Sequence, residues 1–266
     1  MTVDISTIAR RALRKVYPRL GLRDTDILLA SYPKSGNTWV RFIWANMVSL
    51  IERDGETVTF HTVTNELGAE YDQNAYGNIE FDCLPRLVKT HHEYSASKFG
   101  QNRSIYIIRH PGDVLLSYYK YKVARKGSGI SQEDSLSAFI RSEQFGMPAW
   151  TAHVNSWLPE ADVVIRYEDL KTGATEVVSS ALSDLGLADM VDESVVDEAA
   201  RRSEFDRMKE IEEEKGRPSQ DEFENGFRFA RKGESGVWNR VYDKKDKSYM
   251  VESLKEVKYY YNINNG

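Results

Sequence analysis

The sequence is poor in cysteine and in long apolar runs. Its 266 residues include a single cysteine, Cys83, which excludes an internal disulfide framework and any zinc site built from several cysteines. Every apolar run is far shorter than the roughly 20 residues that a membrane-spanning helix needs. No apolar stretch follows the first basic residues, so we expect no secretory signal peptide and a cytoplasmic protein.

Neither sign of charge is in large excess. The chain has 36 Lys and Arg against 41 Asp and Glu, for a formal net charge of −5, and 41% of its residues are hydrophobic. This balance argues against a protein that coats nucleic acid, although it leaves room for a local basic site. The composition is that of a globular protein and the length suits one α/β domain, so we predict a single domain over residues 1–266.

Basic residues are concentrated near the N-terminus. The first 23 residues contain Arg10, Arg11, Arg14, Lys15, Arg19 and Arg23. Two interpretations fit this segment: a basic surface helix packed on the domain, or a peripheral contact with a membrane surface or a partner. The sequence leaves both open.

Short apolar runs alternate with amphipathic segments along the chain. Strands are predicted over residues 26–32, 86–90, 104–108 and 162–166, and helices over residues 38–51, 113–126 and 175–185. This alternation predicts an α/β fold with a central parallel sheet flanked by helices on both faces. Residues 54–85, 127–134 and 210–236 show no clear period, and we predict loops or lids there.

A polar loop joins the first predicted strand to the first predicted helix. It contains Lys34, Ser35, Gly36, Asn37 and Thr38. Ligands of open α/β sheets bind at the carboxyl ends of strands, and a helix N-terminus attracts anions. Glycine lets the backbone approach an anion closely, and the lysine adds a positive charge. The loop therefore predicts a phosphate site, although it lacks the GxxxxGK[ST] pattern of nucleotide loops.

Several motifs together resemble a known family. Residues 32–39 (YPKSGNTW) resemble the 5′-phosphosulfate loop of the cytosolic-type sulfotransferases, which use 3′-phosphoadenosine 5′-phosphosulfate (PAPS). Residues 89–91 (KTH) resemble the family's strand-end catalytic motif. Arg109 with Ser117, and residues 231–236 (RKGESG), resemble its two 3′-phosphate motifs. Residues 167–170 (YEDL) and 203–209 (SEFDRMK) resemble segments that line its adenine pocket. The motifs occur in the family's order.

The resemblance implies a P-loop-like sulfotransferase domain and a reaction. A sulfuryl group would pass from PAPS to a hydroxyl or amine of a small-molecule or glycan acceptor, releasing adenosine 3′,5′-bisphosphate (PAP), with no metal. It also implies three groups of cofactor-binding residues: Lys34, Ser35, Gly36, Asn37 and Thr38 at the 5′ end, Arg109, Ser117, Arg231, Lys232 and Gly233 at the 3′ phosphate, and Trp39, Tyr167, Ser203, Phe205 and Met208 near adenine.

Catalysis requires a base, and two adjacent histidines are candidates. Neighbouring residues of a strand point to opposite faces, so only one of His91 and His92 should face the acceptor. The Lys-Thr-His register of the family selects His91, and His92 replaces the usual leucine. By resemblance, Lys34 steadies the leaving phosphate and Lys89 helps to hold the sulfuryl group. We expect acid to inhibit as a histidine of ordinary pKa, about 6.5, becomes protonated.

The sequence identifies neither the acceptor nor the oligomeric state. Five aromatic residues are interpreted either as walls of an acceptor pocket or as core: Trp44, Tyr71, Tyr76, Phe81 and Phe145. Two alternative functions are a P-loop phosphotransferase and a non-catalytic nucleotide-binding scaffold. The missing nucleotide loop disfavours the first, and the intact set of charged motif residues disfavours the second.

Overall fold

A five-stranded, all-parallel sheet forms the centre of the molecule. The computed structural model describes residues 19–73, 79–131, 133–217, 223 and 235–257. The strands are β1 (Ile27–Ser31), β2 (Ala69–Glu70), β3 (Leu87–Thr90), β4 (Arg103–Ile108) and β5 (Val163–Arg166), in the spatial order β2-β3-β1-β4-β5. The predicted parallel α/β architecture is confirmed, and all four predicted strands are present. The fifth strand, β2, was not predicted.

Helices follow β1, β3, β4 and β5 in the chain and cover both faces of the sheet. They are α1 (Asn37–Glu52), α2 (Phe60–Asn65), α3 (Ala96–Phe99), α4 (Pro111–Ala124), α5 (Leu136–Arg141), α6 (Met147–Trp157), α7 (Tyr167–Thr172), α8 (Ala174–Asp184), α9 (Glu193–Arg202), α10 (Phe205–Lys215), α11 (Trp238–Val241) and α12 (Lys244–Leu254). A short 3₁₀ helix spans Ala188–Met190. The three predicted helices correspond to α1, α4 and α8.

The predicted loop or lid over residues 54–85 contains two short regular elements that the sequence analysis did not predict. The six-residue helix α2 and the two-residue strand β2 both lie in this stretch. Each is too short for a period to emerge from the sequence, and α2 is instead fixed at its start by a capping box between Thr59 and Thr62. In the third aperiodic stretch, α10 extends to Lys215, and residues 218–222 and 224–234 lie outside the described part of the chain.

Successive side chains along the strands point alternately into two hydrophobic cores, one on each face of the sheet. Ile27 and Leu29 of β1 belong to a first core, which helices α1, α8 and α9 complete. Leu28 and Ala30 belong to a second core, which helices α4, α6 and α12 complete. This alternation follows from the strand period of two, and it explains why the four longer strands read as continuous apolar runs.

The amino-terminal edge of the sheet is fixed by a buried ion pair. Arg86 donates to both carboxylate oxygens of Asp26, at 2.8 and 2.6 Å, and neither side chain is more than 2% exposed. The pair ties the start of β3 to the start of β1. Since parallel strands end at the same edge, this arrangement leaves the carboxyl edge available for a site.

Of the basic N-terminal segment, the structure describes only the part from Arg19 onward, because residues 1–18 lie outside the described part of the chain. Arg19 forms an ion pair with Asp24 at 2.7 Å, and Arg23 forms one with Glu80 at 3.1 Å. Across the described ranges, none of the helices combines the length and the apolar character that crossing a membrane would require.

Candidate active site

The loop after β1 turns sharply before α1 begins. Lys34 has φ 73° and Gly36 has φ 108°, both in the left-handed region. At Gly36 only glycine fits, because a Cβ atom there would lie 2.4 Å from Cδ2 of Tyr167. The Ser35 side chain is fully buried, and its Oγ has no hydrogen-bond partner within the described ranges. A buried hydroxyl without a partner is costly, so the loop is suited to a polar ligand.

Tyr167 joins the ends of three strands. It begins α7 directly after β5, and its ring packs against Gly36 of the loop that follows β1. The guanidinium carbon of Arg109, which follows β4, lies 4.0 Å from the ring centroid. Trp39 meets the same ring edge to face, at 5.8 Å between centroids. The structure therefore brings together four residues that the sequence assigned to one nucleotide site.

The first residues of α1 differ in what they offer to a ligand. The Asn37 side-chain amide donates to the Leu29 carbonyl oxygen at 3.2 Å and to the Ser31 hydroxyl at 3.3 Å. Both amide hydrogens therefore have acceptors inside the protein, and a role of Asn37 at the 5′ phosphate stays a prediction. Trp39 Nε1 is buried and has no hydrogen-bond partner among the described residues. Thr38 is half-buried.

His91 follows β3 and points toward β1. Its Nδ1 lies 2.7 Å from the backbone carbonyl oxygen of Ser31. A carbonyl oxygen can only accept, so Nδ1 carries the hydrogen and Nε2 keeps its lone pair. Burial lowers the pKa of His91 well below its ordinary value, and the nearby charge of Lys89 lowers it further. The imidazole is therefore neutral near pH 7 and able to accept a proton at Nε2.

His92 occupies a different environment. Its Nε2 lies 2.6 Å from a carboxylate oxygen of Asp72, and its ring packs edge to face on Tyr71 of the second core. The two histidines thus have separate partners on opposite sides of the strand, as the pleat predicts. Only His91 contacts the end of β1, where the phosphate loop starts.

Lys89 forms an ion pair that the sequence did not reveal. Its Nζ lies 2.9 Å from Oε1 of Glu70, with side chains 17% and 19% exposed. Burial lowers the pKa of Lys89, and the carboxylate of Glu70 partly offsets that effect. Glu70 was missed because β2, its strand, has only two residues and shows no periodic signal.

Helix α4 presents one face to the phosphate loop. Ser117 and Tyr121 lie one turn apart on this helix and share that face. The Lys34 ammonium lies 4.9 Å from the centroid of the Tyr121 ring. Ser117 therefore lies on the side of α4 that faces Lys34. Helix α4 itself begins two residues after Arg109, which follows the end of β4.

The second 3′-phosphate motif lies partly outside the structure. Arg231, Lys232 and Gly233 are outside the described residues. Just after them, the backbone N–H groups of Gly236 and Trp238 donate to the carboxylate of Asp113, at 2.7 and 3.2 Å. This carboxylate, at the start of α4 and four residues after Arg109, thus binds Gly236, the last residue of the C-terminal motif. No local pattern distinguishes Asp113, which reads as an ordinary acidic residue in a first helical turn.

A stacked pair strengthens this anchor. The Trp238 ring stacks on His110 at 4.5 Å between centroids, and a Cβ atom on Gly112 would lie 2.6 Å from the indole. Burial lowers the pKa of His110 to about 4, so this imidazole is neutral and packs as an aromatic ring. His110 also caps α4 by accepting from the Gly112 N–H at 3.1 Å.

Two of the predicted adenine-pocket residues are engaged in packing. The Ser203 hydroxyl is fully buried, donates to the Ala199 carbonyl oxygen at 2.7 Å and accepts from Asn46 at 3.0 Å. Met208 belongs to the first core. Phe205, at the start of α10, is half-buried. Ser203 and Met208 therefore hold α9 and α10 in place, and their contacts give no support to a direct role in adenine binding.

The five aromatic residues considered for an acceptor pocket differ in burial: two belong to the core, two are partly buried, and one lies outside the described residues. Trp44 and Tyr71 are core: the Trp44 indole donates to the Pro85 carbonyl oxygen at 3.2 Å, and Tyr71 packs on Phe99. Phe81 is partly buried against the first core. Phe145 lies beneath the Lys122 ammonium, 4.3 Å from its ring centroid. Tyr76 lies outside the described residues.

No metal-binding arrangement is visible in the described ranges, where no three or more His, Cys, Asp or Glu side chains cluster suitably.

Comparisons with known proteins agree with this geometry. A family model described as a sulfotransferase domain matches residues 24–261. Sulfotransferase 2A6 of Mus musculus is 27% identical over 248 residues, covering 87% of this chain and 83% of the relative. The 3-beta-hydroxysteroid sulfotransferase of Cavia porcellus is 29% identical over 241 residues, covering 85% and 81%.

Solved structures share the fold. A complex of retinol dehydratase with androsterone and the inactive cofactor PAP superposes with a TM-score of 0.68 at 16% identity, covering 93% of this chain and 85% of that one. Mouse sulfotransferase SULT7A1 complexed with PAP gives a TM-score of 0.65 at 22% identity, covering 89% and 86%. The family resemblance of the motifs is thereby confirmed, and the chain belongs to the sulfotransferase family.

Proposed function

We propose that this chain transfers a sulfuryl group from PAPS to a hydroxyl or amine of a small-molecule acceptor, with His91 as the general base. One observation carries the proposal: the ends of β1, β4 and β5 meet at Tyr167, beside a loop that buries a serine hydroxyl without a partner among the described residues. The family match favours this function over a P-loop phosphotransferase.

The residues present suit a nucleotide with phosphates at two ends. Gly36 leaves room for close backbone approach, and Ser35 Oγ and Trp39 Nε1 are buried donors that lack a protein partner within the described ranges. Lys34 and the N-terminus of α1 favour the 5′ end. Arg109, held over Tyr167, and Ser117 favour the 3′ phosphate, together with Arg231, Lys232 and Gly233. Ser203, Phe205 and Met208 stay predictions for the adenine side.

The chemistry follows from the orientation of His91. PAPS supplies the sulfuryl group, whose bond to the phosphate oxygen breaks as the bond to the acceptor oxygen forms. His91 Nε2 takes the acceptor's proton, while Nδ1 stays bonded to the Ser31 carbonyl oxygen. Lys34 stabilises the negative charge that develops on the leaving phosphate oxygen, and Lys89 binds the sulfuryl oxygens. Water exclusion by the buried edge strengthens both interactions.

A small hydroxylated acceptor is proposed ahead of a glycan. The Cavia porcellus relative is named for a 3-beta-hydroxysteroid, and the retinol dehydratase structure contains androsterone. The predicted cytoplasmic location, the single domain over residues 1–266 and the role of the basic N-terminal segment stay predictions.

The decisive experiment compares the affinities of PAP and AMP by titration calorimetry. Loss of the 3′ phosphate removes two or three charge-assisted hydrogen bonds, so AMP should bind about 100-fold more weakly or worse. Arg109→Ala should narrow this gap, while Arg201→Ala, which removes an exposed arginine of α9, should leave it unchanged. Equal affinities of the wild-type protein for PAP and AMP would refute the 3′-phosphate assignment. PAP binding without turnover of any acceptor would favour the scaffold alternative.

A further inference from the structure

An acidic side chain lies within the cationic end of the site. Glu70 is the last residue of β2 and is paired in register with Lys89 of β3. Parallel pairing places both side chains on the same face of the sheet, which is the face that α1 covers. Their contact, at 2.9 Å, is largely shielded from water.

The position of Glu70 is fixed by the backbone around it. The Tyr71 N–H donates to the Lys89 carbonyl oxygen at 2.9 Å, which extends the pairing beyond β2. Before the strand, a Cβ atom on Gly68 would lie 2.0 Å from the Val63 carbonyl oxygen, so the approach to β2 is tightly packed. The same carbonyl oxygen accepts from Arg41 of α1 at 2.8 Å. The backbone that carries Glu70 is thus held in place on both sides of the residue, and its carboxylate is largely buried.

Lys89 lies near two other cations, and Glu70 opposes their effect on its charge. Arg41 and Arg217 both act on Lys89 to disfavour its charged form, and Glu70 opposes them by raising the Lys89 pKa. His91, two residues along the chain, responds to the Lys89 charge, which lowers its pKa. Within the described part of the chain, the carboxylate that acts on Lys89 comes from β2, and the cations come from α1 and from the residues after α10.

We propose that Glu70 is the positioning residue for Lys89, holding its ammonium charged and in place beside His91 at the sulfuryl end of the site. This inference rests on the proposed function in one respect, the contact of Lys89 with the sulfuryl group. Without the carboxylate, the ammonium would be repelled by two neighbouring guanidinium groups and would lose both its charge and its place.

The activity test uses PAPS as donor and 4-nitrophenol and androsterone as acceptor probes. Glu70→Gln should lower kcat by about 10²-fold, the effect of misplacing a reacting group, while the affinity for PAP stays unchanged. The high-pH loss of kcat should begin at lower pH than in the wild type, because Lys89 loses its proton more easily. Glu70→Asp should restore part of the activity. Glu252→Gln removes a carboxylate from an exposed lysine pair and should change nothing.

A double-mutant cycle separates positioning from simple support of the fold. If Glu70 acts through Lys89, Glu70→Gln should cost little further kcat in a Lys89→Met background. An equal loss in both backgrounds would overturn the proposal. So would a Glu70→Gln variant that unfolds more easily yet keeps the wild-type kcat and pH profile.

Chemical labelling tests the proposal without turnover. The pH dependence of Lys89 acetylation by acetic anhydride, followed by mass spectrometry, should shift to lower pH in Glu70→Gln, and to a smaller extent in Glu70→Asp. An unchanged profile in both variants would refute the role of Glu70. If the wild-type protein transferred no sulfuryl group to either probe, the proposed function would fail, while this labelling would still decide the Glu70–Lys89 coupling.

Discussion

The Ser31 carbonyl oxygen fixes the tautomer of His91. Because this oxygen accepts the Nδ1 hydrogen, the basic lone pair is on Nε2, away from β1. His92 is paired instead with Asp72 and contacts the second core. At the scale of single residues, the hydrogen-bond partners therefore place the two adjacent imidazoles in different environments, with the lone pair on Nε2 of His91 and a carboxylate contact at Nε2 of His92.

His91→Ala should lower kcat about 10²–10⁴-fold, the usual contribution of a general base, with PAP affinity nearly unchanged. His92→Ala should cost far less, since its imidazole is held on the other side of the strand. Turnover of both variants with 4-nitrophenol, alongside PAP binding, is the measurement. An inactive His92→Ala beside an active His91→Ala would show that the register assignment is wrong.

If His91 is the base, the pH dependence of kcat should report its protonation. A protonated imidazole cannot accept the acceptor's proton, so acid inhibits. Burial and the Lys89 charge lower the pKa of His91 well below its ordinary value. The acidic loss of kcat should therefore occur at lower pH than about 6.5, the ordinary histidine pKa from which the sequence argument started. A midpoint at or above that value would contradict the described environment.

At the scale of elements, the start of α4 connects distant parts of the chain. Asp113 accepts from the backbone of Gly236 and Trp238, more than 100 residues further on, and Trp238 stacks on His110. Arg109 precedes the same helix. The N-terminal turn of α4 therefore follows Arg109 and also binds Gly236, the last residue of the second motif. Arg231 and Lys232 of that motif lie outside the described residues.

Asp113→Ala should weaken PAP binding several-fold and lower the free energy of unfolding by at least about 1–3 kcal/mol, because two backbone N–H groups lose their acceptor. Calorimetric titration with PAP and denaturant unfolding measure the two effects. Asp246→Ala is the matched control: this buried carboxylate accepts from Ser137 at 2.7 Å and from Arg141 at 2.6 Å. It should lose stability and keep its PAP affinity. Wild-type PAP affinity in Asp113→Ala would contradict the anchoring role.

At the scale of the whole molecule, a buried ion pair lies at one edge of the sheet and the loops of the candidate site lie at the opposite edge. The buried Arg86–Asp26 pair joins β1 and β3 where they begin, and the loops that carry Gly36, His91 and Arg109 leave where strands end. The two edges are joined by the strands β1 and β3, which run from the ion pair to these loops.

Asp26→Asn should therefore lower the free energy of unfolding by about 3–5 kcal/mol, because the buried Arg86 guanidinium loses the carboxylate that it contacts at 2.6 and 2.8 Å. PAP affinity should be unchanged at temperatures where the variant is folded. Asp24→Asn, in a pair whose carboxylate is 84% exposed, should have little effect on stability. Urea unfolding and PAP titration of both variants are the measurements, and a large loss of PAP affinity in folded Asp26→Asn would refute the separation of the two edges.

The assignment of His91 as the base rests on resemblance to the family's Lys-Thr-His motif and stays a prediction. The sequence by itself determined the alternation of strands and helices and the turn between β1 and α1. These are local properties: a strand or a helix of ordinary length shows its period, and Gly36 and Lys34 indicate a turn and a charge within a few residues. Family motifs added the distant Arg109 and Tyr167, which the structure places in contact.

Tertiary structure alone decided the remaining features. It turned the Asn37 amide inward to β1, gave Ser203, Met208, Trp44 and Tyr71 buried packing contacts, and paired Lys89 with Glu70. The Asn37 amide and the Ser203 hydroxyl donate to partners only four to eight residues away, but which partner each side chain meets depends on how the elements pack. The Lys89–Glu70 pair joins residues 19 positions apart, and β2 is too short to show a period. That pair exists because β2 and β3 are neighbours in the sheet, and the strand order is a property of the whole fold that no local pattern contains.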